Sequence, residues 1–203
     1  MAYRLVQLLF RLLLLLLRRW KVYGAENMPA AGGVVIVSNH ASYWDPIAVA
    51  CAFDRKVHYM AKSELFQIPL LGPVIRSLGA FPVRRDRSDR SAIRTAVSYL
   101  QEGKVVGVFP EGTRSKTGEL LKPHLGAAMI AQKAGVPILP VALSGTRGVW
   151  GKVAVRVGTP LAVGAGGGTK TARMELEEAS ERAMSEIAAF LAGAGSGSSR
   201  NYK

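Results

Sequence analysis

The sequence predicts a single α/β domain with a mixed, mostly parallel sheet flanked by helices. Short β-branched runs bounded by glycine or proline alternate along the chain with helical patterns that end at glycine. The 203 residues, 49% of them hydrophobic, suffice for one domain with a buried core. Strand–helix alternation favours a sheet that helices cover on both faces.

Four runs have the composition of buried strands, and they lie at 32–38, 104–110, 136–143 and 152–158. Helical patterns at 91–103 and 126–135 each end at a glycine, which accommodates the left-handed turn that commonly ends a helix. A last amphipathic helix is predicted over 170–192, after a glycine-rich turn at 164–168. We expect the domain to span 23–192.

The charge balance narrows the classes of partner. Lys and Arg number 27 against 14 Asp and Glu, a net charge of +13, which favours nucleic acid, anionic lipid or a phosphorylated substrate. The sequence has no helix-turn-helix, zinc-finger or RNP signature, so we expect no nucleic-acid partner. Cys51 is the only cysteine, which excludes an intrachain disulfide.

The N-terminal run 5–17 is apolar except for Gln7 and Arg11. As a helix it is ~20 Å long, short of the ~30 Å of a membrane's hydrocarbon core. Basic residues follow it where a signal peptide would have small residues. We therefore predict a helix in the membrane surface, within 1–22, whose Arg side chains reach the headgroups. A buried core helix is the alternative, and 193–203 has the composition of a flexible tail.

The stretch "SNHASYWDP" (38–46) places His40 and Asp45 where a buried strand should end. A turn there would let the carboxylate hold one imidazole nitrogen and leave the other free to accept a proton. Asp45 before Pro46 is also a typical N-cap and first-turn pair for a following helix. The spacing alone leaves both interpretations open.

Two more loops carry candidate binding residues. "FPEGTRS" (109–115) leaves a predicted strand, so in a parallel sheet it would reach the same rim as His40. Its Arg114 offers a planar fork for phosphate, although an ordinary turn with solvated charges is the alternative. "GAFPVRRD" (79–86) adds Arg84 and Arg85.

Together these stretches resemble the glycerolipid acyltransferases, the 1-acylglycerol-3-phosphate acyltransferase family, over about 23–160. The NHxxxxD motif corresponds to Asn39, His40 and Asp45, and EGTR to Glu111, Gly112, Thr113 and Arg114. The second motif corresponds to Gly79, Phe81 and Arg85, and the fourth to the strand around Pro140. "MAKSELFQIPLLG" (60–72) is similar to the stretch that follows the first motif, which adds Lys62.

The resemblance implies a general base, His40, oriented by Asp45. It also implies a set of substrate-binding residues: Asn39, Lys62, Arg85, Glu111, Gly112, Thr113 and Arg114. Among them Lys62, Arg85 and Arg114 would hold a phosphate, and Arg84 would share the role of Arg85. Glu111 would contact a glycerol hydroxyl or brace Arg114.

The implied reaction moves an acyl group from acyl-CoA or acyl carrier protein to lysophosphatidate, giving phosphatidic acid. We expect no further cofactor and no metal, an anionic membrane surface as partner, and an active site on its cytoplasmic face. Alternatives are another lysophospholipid or glycolipid acceptor, a lysophospholipid hydrolase that uses the same His–Asp pair, or a non-catalytic lipid-binding relative.

Overall fold

The computed structural model describes residues 2–84, 89–148, 150–164 and 169–195. The strands are β1 (Lys21–Tyr23), β2 (Val34–Ser38), β3 (Val57–Lys62), β4 (Phe81–Val83), β5 (Val105–Val108), β6 (Ile138–Ser144) and β7 (Ala154–Val157). The α-helices are α1 (Ala2–Arg18), α2 (Asp45–Ala52), α3 (Leu71–Ser77), α4 (Arg90–Gln101), α5 (Gly126–Ala134) and α6 (Thr169–Gly195).

The strands form one sheet in the order β1-β7-β6-β2-β5-β3-β4. Every neighbouring pair is parallel except β6 and β7, which run antiparallel. The predicted mixed, mostly parallel sheet is therefore confirmed. Strand β2 lies centrally, with Ile36 opposite Gly107 of β5 and Leu139 of β6. The strands β2, β5, β3 and β4 are consecutive neighbours, so their carboxyl ends share one edge.

Helices cover both faces of the sheet. On one face α4, α5 and α6 bury a core that includes Ala96, Ala131 and Ile187. On the other face α2 buries Ala48 and Val49 against β2, β5 and β6. Helix α1 packs on the outer side of α2. Transfer of these side chains from water is the main stabilising contribution, about 25 cal/mol per Å² of apolar surface buried.

The predicted strands and helices are present with shifted ends, whereas β1, β3, β4 and α3 were not predicted. Strands β1 and β4 have three residues each, too few to show a periodicity. Strand β3 carries His58 and Lys62, which interrupt an apolar run. Residues 165–168 of the predicted turn and 196–203 of the predicted tail lie outside the described residues, and α6 extends through 193–195.

Helix α1 turns its polar side chains toward the protein. Gln7 Nε2 donates to the carbonyls of Ala50 (2.7 Å) and Phe53 (2.8 Å), and Arg11 donates to those of Cys51 (2.8 Å) and Phe53 (2.9 Å). The last carbonyls of a helix have no intrahelical partner, so these contacts complete the C-terminal end of α2. Arg11 therefore does not reach a headgroup, and the prediction is wrong at this position.

Arg18 is likewise turned inward, and only 2% of it is exposed. Its guanidinium donates to the carbonyls of Gly145 (2.7 Å), Gly148 (3.1 Å) and Gly151 (3.4 Å). Three carbonyl acceptors compensate the loss of water around the charge, so the headgroup prediction is wrong for Arg18 as well.

The opposite side of α1 is an exposed apolar face, which we call the leucine face: Leu5, Leu8, Leu9, Leu12, Leu15, Leu16 and Leu17. Within the described part of the chain, no helix combines the length and the hydropathy needed to cross a membrane. Helix α1 thus directs Gln7, Arg11 and Arg18 toward the protein and leaves the leucine face exposed.

Candidate active site

The carboxyl ends of β2, β5 and β3 place three chemically different groups on one rim of the sheet. His40 follows β2, the loop 109–115 follows β5, and Lys62 ends β3. Ligands of open parallel sheets bind beyond the carboxyl ends of strands, so this edge is the first place to expect a site.

His40 and Asp45 form a hydrogen-bonded pair. The imidazole Nδ1 lies 2.9 Å from Asp45 Oδ2, with 12% of the histidine side chain and 0% of the aspartate side chain exposed. An ionised carboxylate only accepts hydrogen bonds, so Nδ1 carries the hydrogen and Nε2 keeps its lone pair. The ring of Phe109 stacks on the imidazole at 4.1 Å between centroids and fixes its plane.

Asp45 organises the turn that joins β2 to α2. Its Oδ2 also accepts the backbone N–H groups of Ala41 and Ser42, both at 2.6 Å. These groups precede α2, whose N-cap position is Trp44 without a side-chain cap. The carboxylate therefore reaches back into the loop, and the N-cap interpretation of Asp45 is wrong.

Glu111 holds the backbone of the histidine loop. Its Oε1 accepts the N–H of His40 (2.9 Å) and its Oε2 accepts that of Leu121 (3.0 Å). Both oxygens thus contact backbone groups and not Arg114, and only 4% of the residue is exposed, while the contact with a glycerol hydroxyl stays a prediction. Burial raises the pKa of Glu111, and the two backbone hydrogen bonds partly offset that rise.

A further contact from the same loop was not predicted. Ser115 N–H donates to the His40 carbonyl at 2.7 Å. The loop that follows β5 thus holds both backbone polar groups of His40. No local sequence pattern indicates this contact, because His40 and Ser115 are 75 positions apart in the chain.

Asn39 connects two strands, although it was predicted to bind substrate. Its side chain donates to the Leu143 carbonyl (3.0 Å) and accepts the Leu143 N–H (2.8 Å). Only 5% of the residue is exposed. Both polar atoms are engaged with β6, so Asn39 joins the rim to that strand, and its contact with substrate stays a prediction.

Two of the predicted phosphate-binding cations lie at the site. The Arg114 guanidinium carbon lies 3.6 Å from the centroid of the exposed Tyr43 ring. Lys62 Nζ pairs with Glu64 Oε1 at 2.9 Å, and both side chains are about half exposed, at 53% and 57%. Such an exposed pair is weak, so a ligand phosphate can compete for Lys62.

The remaining predicted binding residues follow β4 and β5 in the sequence. Arg85 lies outside the described residues, and Nε of Arg84, which was predicted to share its role, lies 3.8 Å from Asp89 Oδ2. Gly112 and Thr113 are exposed in the loop after β5. Gly112 has φ +68°, and a Cβ there would approach the His124 ring to 3.3 Å, so this turn requires glycine.

A cavity of about 640 Å³ opens beside the imidazole. Its walls come from α1, α2, β3 and α3, and they are mostly apolar. Within the described part of the chain, its basic lining groups are His40, Lys62 and Arg114. An apolar chamber next to a proton acceptor and two cations fits an amphiphile with an anionic head.

The comparisons with known proteins agree with this arrangement. The family model described as Acyltransferase matches residues 19–144, more than half of the chain. The chain belongs to this family. A 1-acyl-sn-glycerol-3-phosphate acyltransferase of Bacillus subtilis is 39% identical over 147 residues, which cover 70% of this chain and 73% of that protein.

More distant relatives have the same designation. The 1-acyl-sn-glycerol-3-phosphate acyltransferase of Borreliella burgdorferi is 37% identical over 128 residues, covering 62% of this chain and 51% of that protein. The crystal structure of the 1-acyl-sn-glycerophosphate acyltransferase from Thermotoga maritima superposes with a TM-score of 0.66 at 35% identity, covering 84% of this chain and 72% of that one.

Cys51 lines the cavity as a protonated thiol, because burial raises its pKa to about 11. At pH 8 about one thiol in a thousand is then ionised, against about one in ten at the ordinary value of 9.0. We expect a disulfide reagent at pH 8 to modify the native protein about 100-fold more slowly than the protein unfolded in guanidinium chloride. Equal rates in the two states would contradict the buried placement.

Proposed function

We propose that the protein transfers an acyl group from an acyl thioester to the free hydroxyl of 1-acylglycerol-3-phosphate, giving phosphatidic acid. One observation carries the proposal: a histidine whose Nδ1 is held by a buried aspartate lines a largely apolar cavity that Lys62 and Arg114 also line. The designation of the relatives supports the same substrate.

The chemistry follows from the tautomer of His40. Nε2 accepts the proton of the acceptor hydroxyl as its oxygen attacks the thioester carbonyl, and Asp45 stabilises the imidazolium that forms. Collapse of the tetrahedral intermediate breaks the carbon–sulfur bond and returns the proton to the departing thiolate. The general-base step contributes about 10²–10⁴-fold in rate. The mechanism needs no acyl-enzyme and no further cofactor beyond the acyl thioester of CoA or acyl carrier protein.

Lys62 and Arg114 supply the contacts that place the acceptor. A phosphomonoester carries up to two charges, and a lysine ammonium together with an arginine fork satisfies several of its oxygens. Anchoring this head fixes the hydroxyl near Nε2, while an acyl chain occupies the apolar cavity. The resemblance in sequence adds Arg85 as a third cation, and we include it in this proposal as a further phosphate contact.

The reaction is proposed to occur at a membrane surface, on the cytoplasmic face where CoA and acyl carrier protein thioesters are present. The leucine face of α1 and the exposed apolar side chains Leu65, Ile68, Leu70, Leu71 and Val74 support this placement. Several of the latter also line the cavity, so a lipid reaches it from the apolar side. Burying leucine side chains in the acyl region contributes about 1.5–3 kcal/mol each.

The leucine face is tested by adding charge to it. We expect the double variant Leu8→Glu/Leu12→Glu to lose most of its flotation with vesicles containing anionic lipid, because two buried carboxylates oppose insertion. Met174→Glu is the matched control: Met174 is also an exposed apolar residue, at 61%, but it lies on α6 beyond the opposite face of the sheet. Full flotation of the double variant would place the membrane contact elsewhere.

The acceptor is identified by product analysis. Purified protein is incubated with acyl-CoA or acyl carrier protein thioester and, separately, with lysophosphatidate, lysophosphatidylcholine and lysophosphatidylethanolamine, and the lipids are analysed by mass spectrometry. The proposal expects phosphatidic acid as the dominant product. Equal use of lysophosphatidylcholine would contradict a pocket that recognises a phosphomonoester.

A further inference from the structure

Among the described residues, three buried side-chain polar atoms make no hydrogen bond: Trp20 Nε1, Asp45 Oδ1 and Tyr59 Oη. Buried polar groups are almost always paired, so each unpaired one calls for an explanation. Asp45 uses its other oxygen, Oδ2, for His40, Ala41 and Ser42. The proposed reaction assigns no role to the second oxygen, Asp45 Oδ1.

Tyr59 lies on the same face of the sheet as the histidine pair. It is opposite Gly107 of β5, and a Cβ on Gly107 would stand 2.3 Å from Tyr59 Cε1. The ring therefore lies over β5, in space that only a glycine leaves open. It is nearly parallel to Phe109, at 9° and 6.0 Å, and Phe109 in turn stacks on His40.

The Asp45 carboxylate acts electrostatically on the Tyr59 hydroxyl, in agreement with this placement. Burial is the main cause that raises the pKa of Tyr59 well above its ordinary value, and repulsion by the Asp45 carboxylate, and by Tyr3 and Cys51 when they are ionised, adds to the rise. The phenol is thus a neutral O–H donor at all ordinary pH values. A carboxylate oxygen is the strongest acceptor among these neighbours.

We propose that Tyr59 is a positioning residue whose hydroxyl donates to one buried water, which in turn donates to Asp45 Oδ1 and completes a Tyr59–water–Asp45–His40 chain. The inference rests on the proposed transferase function. With Oδ2 bound by three donors and Oδ1 by the water that the phenol holds, the carboxylate cannot rotate about its Cβ–Cγ bond. The imidazole that it holds then keeps Nε2 aimed at the acceptor hydroxyl. Gly107 is required because it leaves room for the ring.

The test is Tyr59→Phe, which removes one oxygen and keeps the ring. We expect kcat to fall about 3- to 10-fold with the KM of each substrate within about twofold, because alignment and not binding is affected. In an Asp45→Asn background the same change should have no further effect on kcat. Tyr99→Phe, a hydroxyl removed from α4 on the opposite face, is the matched control and should retain full activity.

Thermal unfolding supplies a readout that does not depend on activity. A partnered hydroxyl stabilises the fold, so its loss should lower Tm, whereas the loss of an unpaired buried hydroxyl should raise it. Unchanged kcat with a raised Tm overturns the role of Tyr59, as does an equal loss of kcat in both backgrounds. Absence of transfer by the wild-type protein would instead contradict the proposed function itself.

Discussion

Replacing His40 by alanine is expected to lower kcat/KM for acyl transfer by about 10²–10⁴-fold, because the acceptor hydroxyl then loses its proton acceptor. The fold should persist, since the Glu111 and Ser115 contacts reach His40 through its backbone N–H and carbonyl and not through its ring. Steady-state release of thiol from the acyl donor measures the loss, and circular dichroism checks the fold.

Asp45→Asn is the companion variant. The amide oxygen can still accept the N–H groups of Ala41 and Ser42, so the turn should survive, while the imidazolium loses its counter-charge. We expect most of the activity to disappear. Activity of His40→Ala within tenfold of wild type, or a fully active Asp45→Asn, would exclude the general-base role.

Replacing Arg114 by alanine is expected to raise the KM for lysophosphatidate and to lower kcat/KM by roughly 10- to 150-fold, the range for loss of hydrogen bonds to a charged group. The KM for the acyl donor should change much less. Arg114→Lys should also be impaired, because an ammonium cannot make the two parallel contacts of a guanidinium. Kinetics with each substrate varied in turn provide the measurement.

Arg94→Ala is the matched control for this series, because Arg94 is an exposed arginine on α4, which covers the opposite face of the sheet. It removes the same charge from the protein without touching the cavity, and so separates a local contact from a general loss of positive field. A higher KM for the acyl donor in Arg114→Ala would instead assign Arg114 to the phosphates of CoA.

The sequence predicted β2, β5, β6 and β7, because β-branched runs are local signals, but it did not predict β1, β3 or β4. It predicted the rim for the same reason: His40 and Arg114 each follow a buried strand, and parallel strands end at one edge. The partners of Glu111 and Asn39 could not be predicted in this way. Their hydrogen bonds run to the backbone of distant segments, and backbone groups carry no sequence signature.

The sequence does indicate which face of α1 packs against the protein, but the many leucines make this pattern hard to recognise. Gln7 and Arg11 interrupt the apolar run and Arg18 follows it, at spacings of four and seven that place the three side chains on one face of a helix. In a helix at the membrane surface, polar side chains normally meet water or headgroups, so the sequence predicted that the arginines reach the headgroups. Carbonyls at the end of α2 and in the 145–151 loop instead accept hydrogen bonds from Arg11 and Arg18 and hold both side chains against the protein. These acceptors come close to α1 only in the folded chain.

The most direct test of the account is to offer the enzyme an acyl thioester with and without lysophosphatidate. Direct transfer predicts negligible thiol release and no mass added to the protein when the acceptor is omitted. With acceptor present, it predicts one phosphatidic acid for each thiol released. Thiol release without acceptor, or an acylated protein detected by intact mass spectrometry, would contradict direct attack by a hydroxyl that His40 deprotonates.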